Sequence, residues 1–209
     1  MCRSFFDRTP QAVAPALIGA LLVHGDVAGR IVETEAYAAK GDPAAHASRG
    51  RTVRTDVLFG MPGRAYVFRT RQHHCLNVAA QECGVPGCVL IRALEPVAGI
   101  ETMRARRGQV DDARLTDGPA KLCEALDVDM RCYGDDFCDG RGLHLLPATG
   151  APARVVSGPR VGITAARDRL WRYCDPHSRY VSRPWPAAMR RHPPPKKPGG
   201  SLVGGCVAS

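Results

Sequence analysis

The segment Glu33-Thr-Glu-Ala-Tyr37 carries two carboxylates two residues apart. Side chains repeat every two residues along a β-strand, so a strand here would place Glu33 and Glu35 on one face. A glutamate beside an apolar wall can act as a general base that orients and deprotonates a water molecule for hydrolysis. Two acidic residues on one face of a strand more often lie on the solvated surface of a protein. The segment therefore predicts a hydrolytic site only if other functional side chains lie beside it.

Five further residues near predicted strand ends could supply these side chains: Tyr37, His46, Phe68, Asn77 and Arg92. They comprise flat rings, an amide and a cation, which are the groups that grip a planar heterocycle by stacking and hydrogen bonding. Each also has a structural interpretation, as core ring, helix cap, turn residue or ion-pair partner. Their joint occurrence favours a pocket for a flat heterocyclic base.

Hydrophobic periodicity predicts the elements that would position these residues. The strand over 29–37 carries the two acids, and the turn signal Gly60-Met-Pro-Gly63 precedes a predicted hairpin of strands 64–68 and 75–79. A further strand over 88–94 is expected to stop at Pro96, and later strands are expected over 155–163 and 180–182. Predicted helices cover 11–18, 100–107 and 115–126.

The length of 209 residues fits one globular domain, and the 44% hydrophobic and 23% charged content is that of a folded protein. We expect the domain to cover residues 1–184 and a disordered, basic, Pro/Gly-rich tail to cover 185–209. No stretch approaches the roughly 20 apolar residues of a membrane span, and no secretory signal is evident. We therefore expect an intracellular protein of the cytoplasm or nucleoid, or of the nucleus if the source is eukaryotic.

The cysteine content and the net charge indicate which ligands and partners to expect. Nine cysteines form an odd set without a Cys-x-x-Cys pair, so we expect neither a disulfide framework nor a metal site. The net charge of +9 favours an anionic partner, and nucleic acid is the first candidate. The charge alone is a weak argument, because five of the nine charges come from the acid-free stretch 183–209: Arg183, Arg190, Arg191, Lys196 and Lys197.

Nine short blocks occur in an order and spacing that resemble the 3-methyladenine (alkyladenine) DNA glycosylase family over about residues 4–184. The blocks are Arg30-Ile-Val-Glu-Thr-Glu-Ala-Tyr37, Ala44-Ala-His46, Arg51-Thr-Val-Arg54, Phe59-Gly-Met-Pro-Gly63, Tyr66-Val-Phe68, Cys75-Leu-Asn-Val78, Val89-Leu-Ile-Arg-Ala-Leu-Glu-Pro96, Gly118-Pro-Ala-Lys-Leu-Cys123 and Gly158-Pro-Arg-Val-Gly162. A chance match of so many ordered blocks is not expected.

The resemblance implies a single α+β domain, a largely antiparallel β roll or open barrel with flanking helices and a protruding β-hairpin. It also implies a monofunctional enzyme, without cofactor or Schiff-base lysine, that acts on double-stranded DNA containing damaged purines. Such enzymes flip alkylated or deaminated purines from the duplex and remove them hydrolytically, leaving an abasic site. The implied substrates are 3-methyladenine, 7-methylguanine, hypoxanthine and ethenoadenine, and we expect a monomer.

The same resemblance assigns roles to the catalytic positions. Glu35 matches the family's general base, which activates the water that attacks C1′. Arg92 and the backbone carbonyl of Val161 match the groups that help to hold this water.

The base-binding positions follow in the same way. Tyr37 and Phe68 match the two rings that sandwich the flipped base, with a phenylalanine where many relatives carry tyrosine. His46 matches the residue that hydrogen-bonds the lesion, and Asn77 matches the side chain that excludes the 2-amino group of normal guanine.

The hairpin tip departs from the family pattern. Relatives carry a Tyr-Gly pair there, whose tyrosine wedges into the gap left by the flipped nucleotide, whereas this chain reads Arg69-Thr-Arg-Gln-His-His74. The wedge is then expected to be Arg71, Gln72 or His73, and an arginine would forfeit the apolar wedge. Other expected DNA contacts come from Arg51, Thr52, Arg54 and Lys121, while Thr55 replaces a frequent asparagine.

Two other classes of protein remain open at this point. The altered hairpin tip is compatible with a catalytically weak or silent DNA-binding protein on the same scaffold. A different hydrolase or transferase could also share the fold, because fold alone does not determine chemistry. Glu35 and Arg92 argue against the silent binder, and the base-pocket residues argue against the other enzyme.

Overall fold

The computed structural model describes residues 1–108, 110–149 and 154–191, which form eight strands and four α-helices. The strands are β1 (Leu21–His24), β2 (Val27–Ala38), β3 (Ala65–Thr70), β4 (His73–Ala79), β5 (Gly87–Ala98), β6 (Leu143–Leu146), β7 (Val156–Gly158) and β8 (Arg172–Cys174). The helices are α1 (Pro10–Ala16), α2 (Ile100–Arg107), α3 (Pro119–Leu126) and α4 (Ala187–Arg191).

The strands form one curled antiparallel sheet in the order β3-β4-β5-β2-β1-β6, with β8 pairing both β2 and β7. This half-barrel with helices confirms the expected α+β class and single domain. The predicted hairpin is also present, since β3 and β4 pair throughout and Arg71 and Gln72 form the two-residue turn between them.

A β-bulge in β2 sets which face the acids occupy. The register of β2 against β5 shifts between Ile31 and Glu33 and again between Glu33 and Thr34. Ile31 therefore packs in the main core, whereas Glu33 turns to the opposite face of the sheet, although simple alternation had placed both on one side. Strict alternation resumes after the bulge, so Glu33, Glu35 and Tyr37 share a face.

Three hydrophobic clusters hold the sheet in place. The largest joins α1, α2 and α3 to the sheet through buried side chains that include Leu17, Ile31 and Leu122. A second cluster packs Val32 and Met189 together, and a third contains Tyr66. Burial of apolar area on both faces of the sheet makes β2, which carries both acids, a rigid part of the domain.

Several predicted boundaries differ in the structure. β5 continues through Pro96, which pairs with Gly29 at a register shift where no backbone N–H donor is required. The helix predicted over 115–126 begins only at Pro119, and the strand predicted over 155–163 is limited to Val156–Gly158. Residues 180–182 form no strand, and the short strands β6 and β8 were not predicted.

The first part of the predicted tail is helical. Residues 187–191 form α4, and Met189 is fully buried against the second cluster. Apolar contact therefore orders this segment despite its proline and arginine content. The rest of the predicted tail, 192–209, lies outside the described residues.

Candidate active site

A cavity of about 530 Å³ lies over the face of the sheet that carries Glu35. Its floor consists of alternate residues of neighbouring strands, because only every second side chain of a strand faces the same side. These are Tyr66, Phe68 and Thr70 of β3, Cys75 and Asn77 of β4, Cys88, Leu90 and Arg92 of β5, and Tyr37 of β2. The rim comes from loops 43–49 and 161–164 and from Pro119 at the start of α3.

Glu35 is fully buried beneath this floor and is held by three donors. The hydroxyl of Tyr37 donates to Oε2 at 2.8 Å, and Nη1 of Arg92 donates to the same oxygen at 3.3 Å. The backbone N–H of Val161 donates to Oε1 at 2.7 Å. All three donors line the cavity, so the carboxylate is fixed directly beneath the lining.

Glu33, two residues earlier, has a different environment. It accepts hydrogen bonds from Nε of Arg92 and Nε of Arg172, each at 2.7 Å, and from the N–H of Ser182 at 2.7 Å and its hydroxyl at 2.9 Å. With Glu35, these groups make a buried set of two carboxylates and two guanidiniums. Burial opposes the charge of Arg92, but the two carboxylates outweigh it and raise the pKa of Arg92 above its ordinary value.

Tyr37 lines the cavity while its hydroxyl donates to Glu35. Burial, the charge of Glu35 and their hydrogen bond raise the pKa of Tyr37 far above its ordinary value. The hydroxyl therefore stays protonated at any physiological pH and always donates to the carboxylate.

Phe68 and His46 also line the cavity and contact each other. The rings of His46 and Phe68 meet edge to face with centroids 4.6 Å apart, and the guanidinium carbon of Arg54 lies 4.8 Å from the Phe68 centroid. Nη2 of Arg54 lies 3.3 Å from Nε2 of His46, and Nδ1 of His46 lies 2.9 Å from the hydroxyl of Tyr66. Arginine can only donate, so Nε2 is the acceptor and Nδ1 carries the proton in this network.

The protonation state of His46 follows from its position. Burial of the ring edge and the positive charges of Arg54 and Arg49 lower the pKa of His46 from 6.5 to about 4, although the residue as a whole is exposed at the rim. The imidazole is therefore neutral at pH 7.

Asn77 is buried in the cavity floor with its amide oriented by two neighbours. Its Nδ2 donates to the Tyr66 carbonyl at 3.0 Å, and the Cys88 thiol donates weakly to Oδ1 at 3.8 Å. Burial raises the pKa of Cys88 to about 12, so the sulfur stays a neutral donor. The side chain of Asn77 is thus held in one orientation.

Sequence reasoning missed a buried ion pair beside the site. Asp42 and Arg160, whose side chains are both fully buried, form a two-pronged contact with N–O distances of 2.6 and 2.8 Å. The Arg160 guanidinium stacks between the rings of Tyr37, at 4.6 Å, and Trp171, at 5.1 Å. Arg160 stands in the Gly-Pro-Arg-Val-Gly block, which was the only signal in the sequence, and it immediately precedes Val161.

The residues expected to contact DNA do not line this cavity. Arg71 and Gln72 are exposed at the hairpin turn, and His73 is the exposed first residue of β4. Gln72 and His73 lie over a second cavity towards α3. Their role as wedge stays a prediction.

The remaining DNA-contact candidates make local contacts. Arg51 pairs with Asp56 at 2.6 Å, and Lys121 pairs with Asp117 at 2.6 Å. Thr52 exchanges hydrogen bonds with Thr55, which shapes the loop that presents Arg54.

Within residues 1–108, 110–149 and 154–191, no three His, Cys, Asp or Glu side chains are arranged to hold a metal ion. No helix in the same part of the chain has the length and apolar character to cross a membrane.

Comparison with known proteins agrees with this geometry. A family model described as methylpurine-DNA glycosylase matches residues 4–179. A protein named "Putative 3-methyladenine DNA glycosylase" from Rhodopseudomonas palustris (strain HaA2) is 48% identical over 185 residues, which cover 88% of this chain and 90% of that protein. A protein of the same name from Methanoculleus marisnigri is 46% identical over 187 residues, which cover 86% of this chain and 97% of that protein. One of that name from Chlorobaculum tepidum is 40% identical over 200 residues, covering 92% of this chain and 93% of its own. The chain therefore belongs to the methylpurine-DNA glycosylase family.

Proposed function

We propose that this enzyme flips a damaged purine out of double-stranded DNA into the cavity and hydrolyses its N-glycosidic bond. The observation that carries the proposal is Glu35, a buried carboxylate held by three residues that line a cavity of about 530 Å³. That volume lies within the range of small-molecule sites. The walls are the rings and amide that a flat heterocycle requires.

Glu35 serves as the general base in this proposal. A carboxylate can accept about four hydrogen bonds, and three positions are used by Tyr37, Arg92 and Val161. The remaining position accepts the attacking water. As the C1′–N bond breaks, the base leaves with the electron pair, the water oxygen bonds to C1′, and its proton passes to Glu35.

The cavity walls then bind the base. Tyr37 and Phe68 stack on its two faces, His46 hydrogen-bonds its edge as a neutral ring, and Asn77 excludes the 2-amino group of guanine. The carbonyl of Val161 and the guanidinium of Arg92 help to orient the water. The substrates are alkylated or deaminated purines, namely 3-methyladenine, 7-methylguanine, hypoxanthine and ethenoadenine.

Single-turnover excision from duplexes with one damaged purine, followed by alkaline cleavage of abasic sites, tests the proposal. Glu35→Gln should lower the excision rate by roughly 10²- to 10⁴-fold while duplex binding persists. Glu95→Gln is the matched control, because Glu95 is a half-exposed glutamate paired with Arg30, away from the cavity. Its rate should equal that of the wild type.

Two outcomes would contradict the proposal. Wild-type protein that binds damaged duplexes tightly without strand breaks would be a silent DNA-binding protein, the alternative suggested by the hairpin tip. Excision that survives Glu35→Gln unchanged would remove Glu35 from the mechanism.

A further inference from the structure

A third cavity, with arginine and lysine side chains in its lining, adjoins the 530 Å³ cavity proposed above to bind the flipped base, here called the base cavity. It has a volume of about 580 Å³ and lies between the start of α3 and the segment 179–185. Arg92 and Pro119 line both cavities, so the two spaces meet at these residues. A group bound in one cavity would therefore lie next to the other.

The lining of this cavity is strongly positive. Five cationic side chains line it, namely Arg92, Arg114, Lys121, Arg179 and Arg183. Glu33 and Glu35 pair with Arg92, and Asp117 is the one carboxylate among the described residues that line the cavity. Asp117 pairs with Lys121 at 2.6 Å, so the lining holds no further carboxylate for Arg114, Arg179 and Arg183. The charges of Asp111 and Asp112, which lie outside the lining, act on Arg179. Such convergence of like charge costs free energy unless an anion joins it.

Two of these arginines are stacked on aromatic rings. The Arg183 guanidinium carbon lies 3.8 Å from the Trp185 centroid, and Trp185 is itself anchored by a 3.1 Å hydrogen bond from its indole N–H to the carbonyl of Val181. Arg179 lies 4.9 Å from the Tyr180 centroid and donates to its hydroxyl at 3.0 Å. Stacking restricts a guanidinium while leaving edge N–H donors available, which suits the planar recognition of a phosphate.

We propose that this cavity, through Arg114, Arg179 and Arg183 together with Lys121, binds phosphodiester groups of the DNA strand next to the flipped nucleotide. The inference rests on the proposed function in taking DNA as the ligand. Extrusion of a nucleotide swings its flanking phosphates towards the protein, and the cavity receives them beside Arg92. The positive end of the α3 dipole adds to the attraction at Pro119.

The salt dependence of duplex binding tests the inference. Arg114 and Arg183 are exposed, so Arg114→Gln and Arg183→Gln leave the fold intact. The matched control is Arg141→Gln, which removes an exposed arginine just before β6, at the sheet edge opposite β3. Each cavity variant should reduce the slope of log affinity against log salt by about one, the pair by about two, and the control by nothing. Between 50 and 200 mM salt the wild type should then lose roughly tenfold more affinity than the double variant.

Neutral methylphosphonates, placed one at a time around a stable abasic-site analogue, locate the contact. One position next to the abasic nucleotide should weaken wild-type binding, and the same replacement should have no effect on the double variant. Unchanged salt slopes, or a methylphosphonate effect that is equal in wild type and double variant, would overturn the inference. Base excision by the wild type is measured separately. If binding follows the predicted salt dependence but no base is excised, the proposed function is contradicted, whereas the assignment of this cavity to phosphate binding still holds.

Discussion

Asp42→Asn should both destabilise the domain and slow base excision. The Asp42 carboxylate forms the two-pronged contact with Arg160, and its oxygens also accept the backbone N–H groups of Ala38 and Ala44 at 3.3 Å. The substitution keeps the shape of the side chain and removes its charge. The buried guanidinium of Arg160 is then left without its counter-ion and faces an amide that cannot accept on both prongs.

The structure sets the size of the stability effect. Both side chains are fully buried, and removal of one partner from such a pair costs roughly 3–5 kcal/mol. In a chain of this length, 1 kcal/mol corresponds to about 2–4 °C in the unfolding midpoint. We therefore expect the midpoint to fall by roughly 6–20 °C.

The effect on excision follows from what Arg160 holds in place. It stacks against Tyr37, and the next residue, Val161, donates the 2.7 Å hydrogen bond to Glu35. A shift of this loop on the order of 1 Å would misplace the base wall and the carboxylate together, for which a loss of roughly 10²-fold in rate is expected. Duplex affinity should change far less, because Arg160 is buried away from the surface.

The assay compares single-turnover excision per folded molecule, at a temperature well below the midpoint of each variant. Asp136→Asn is the control: Asp136 pairs with Arg3 at 2.5 Å outside the cavity, so its loss should lower the midpoint without slowing excision. If Asp42→Asn lowers the midpoint and leaves the rate per folded molecule unchanged, Arg160 contributes only stability. If neither quantity changes, the reasoning on the buried pair is wrong.

Four further predictions concern single sites. His46 has a pKa near 4 in the folded protein and near 6.5 in the unfolded chain, so between these pH values the unfolded chain binds one more proton than the folded protein. The urea midpoint of unfolding should therefore fall as the pH drops from about 6.5 to 4, and it should fall less steeply in His46→Gln. Glu33→Gln should cost roughly 3–5 kcal/mol in chemical denaturation, because it leaves buried guanidinium charge uncompensated. Gly29→Ala should cost about 1–3 kcal/mol, since an added Cβ would lie 2.8 Å from Cβ of Leu94. Arg71→Ala should weaken duplex binding and lower the salt slope by about one; unchanged binding and single-turnover excision would remove the hairpin turn from the DNA contact.

The local sequence pattern was sufficient to predict those features of secondary structure that depend on residues close together in the chain. The period of two along 33–37 placed both acids on one face, and the charged stretch 100–107 predicted α2 with the bounds it has. The turn before Arg64 and the apolar strands predicted the hairpin that carries Phe68 and Asn77. These features depend on dihedral preference and side-chain period, which short stretches of sequence encode.

Only the tertiary structure shows that the two acids have different environments. Glu33 and Glu35 are equivalent in the sequence pattern, but the first meets Arg172 and Ser182, 139 and 149 residues away, and the second meets Val161, 126 residues away. The bulge in β2 and the passage of β5 through Pro96 also depend on the partner strand. Local preferences cannot report such contacts, because their free energy arises only when distant segments exclude water around the same buried charges.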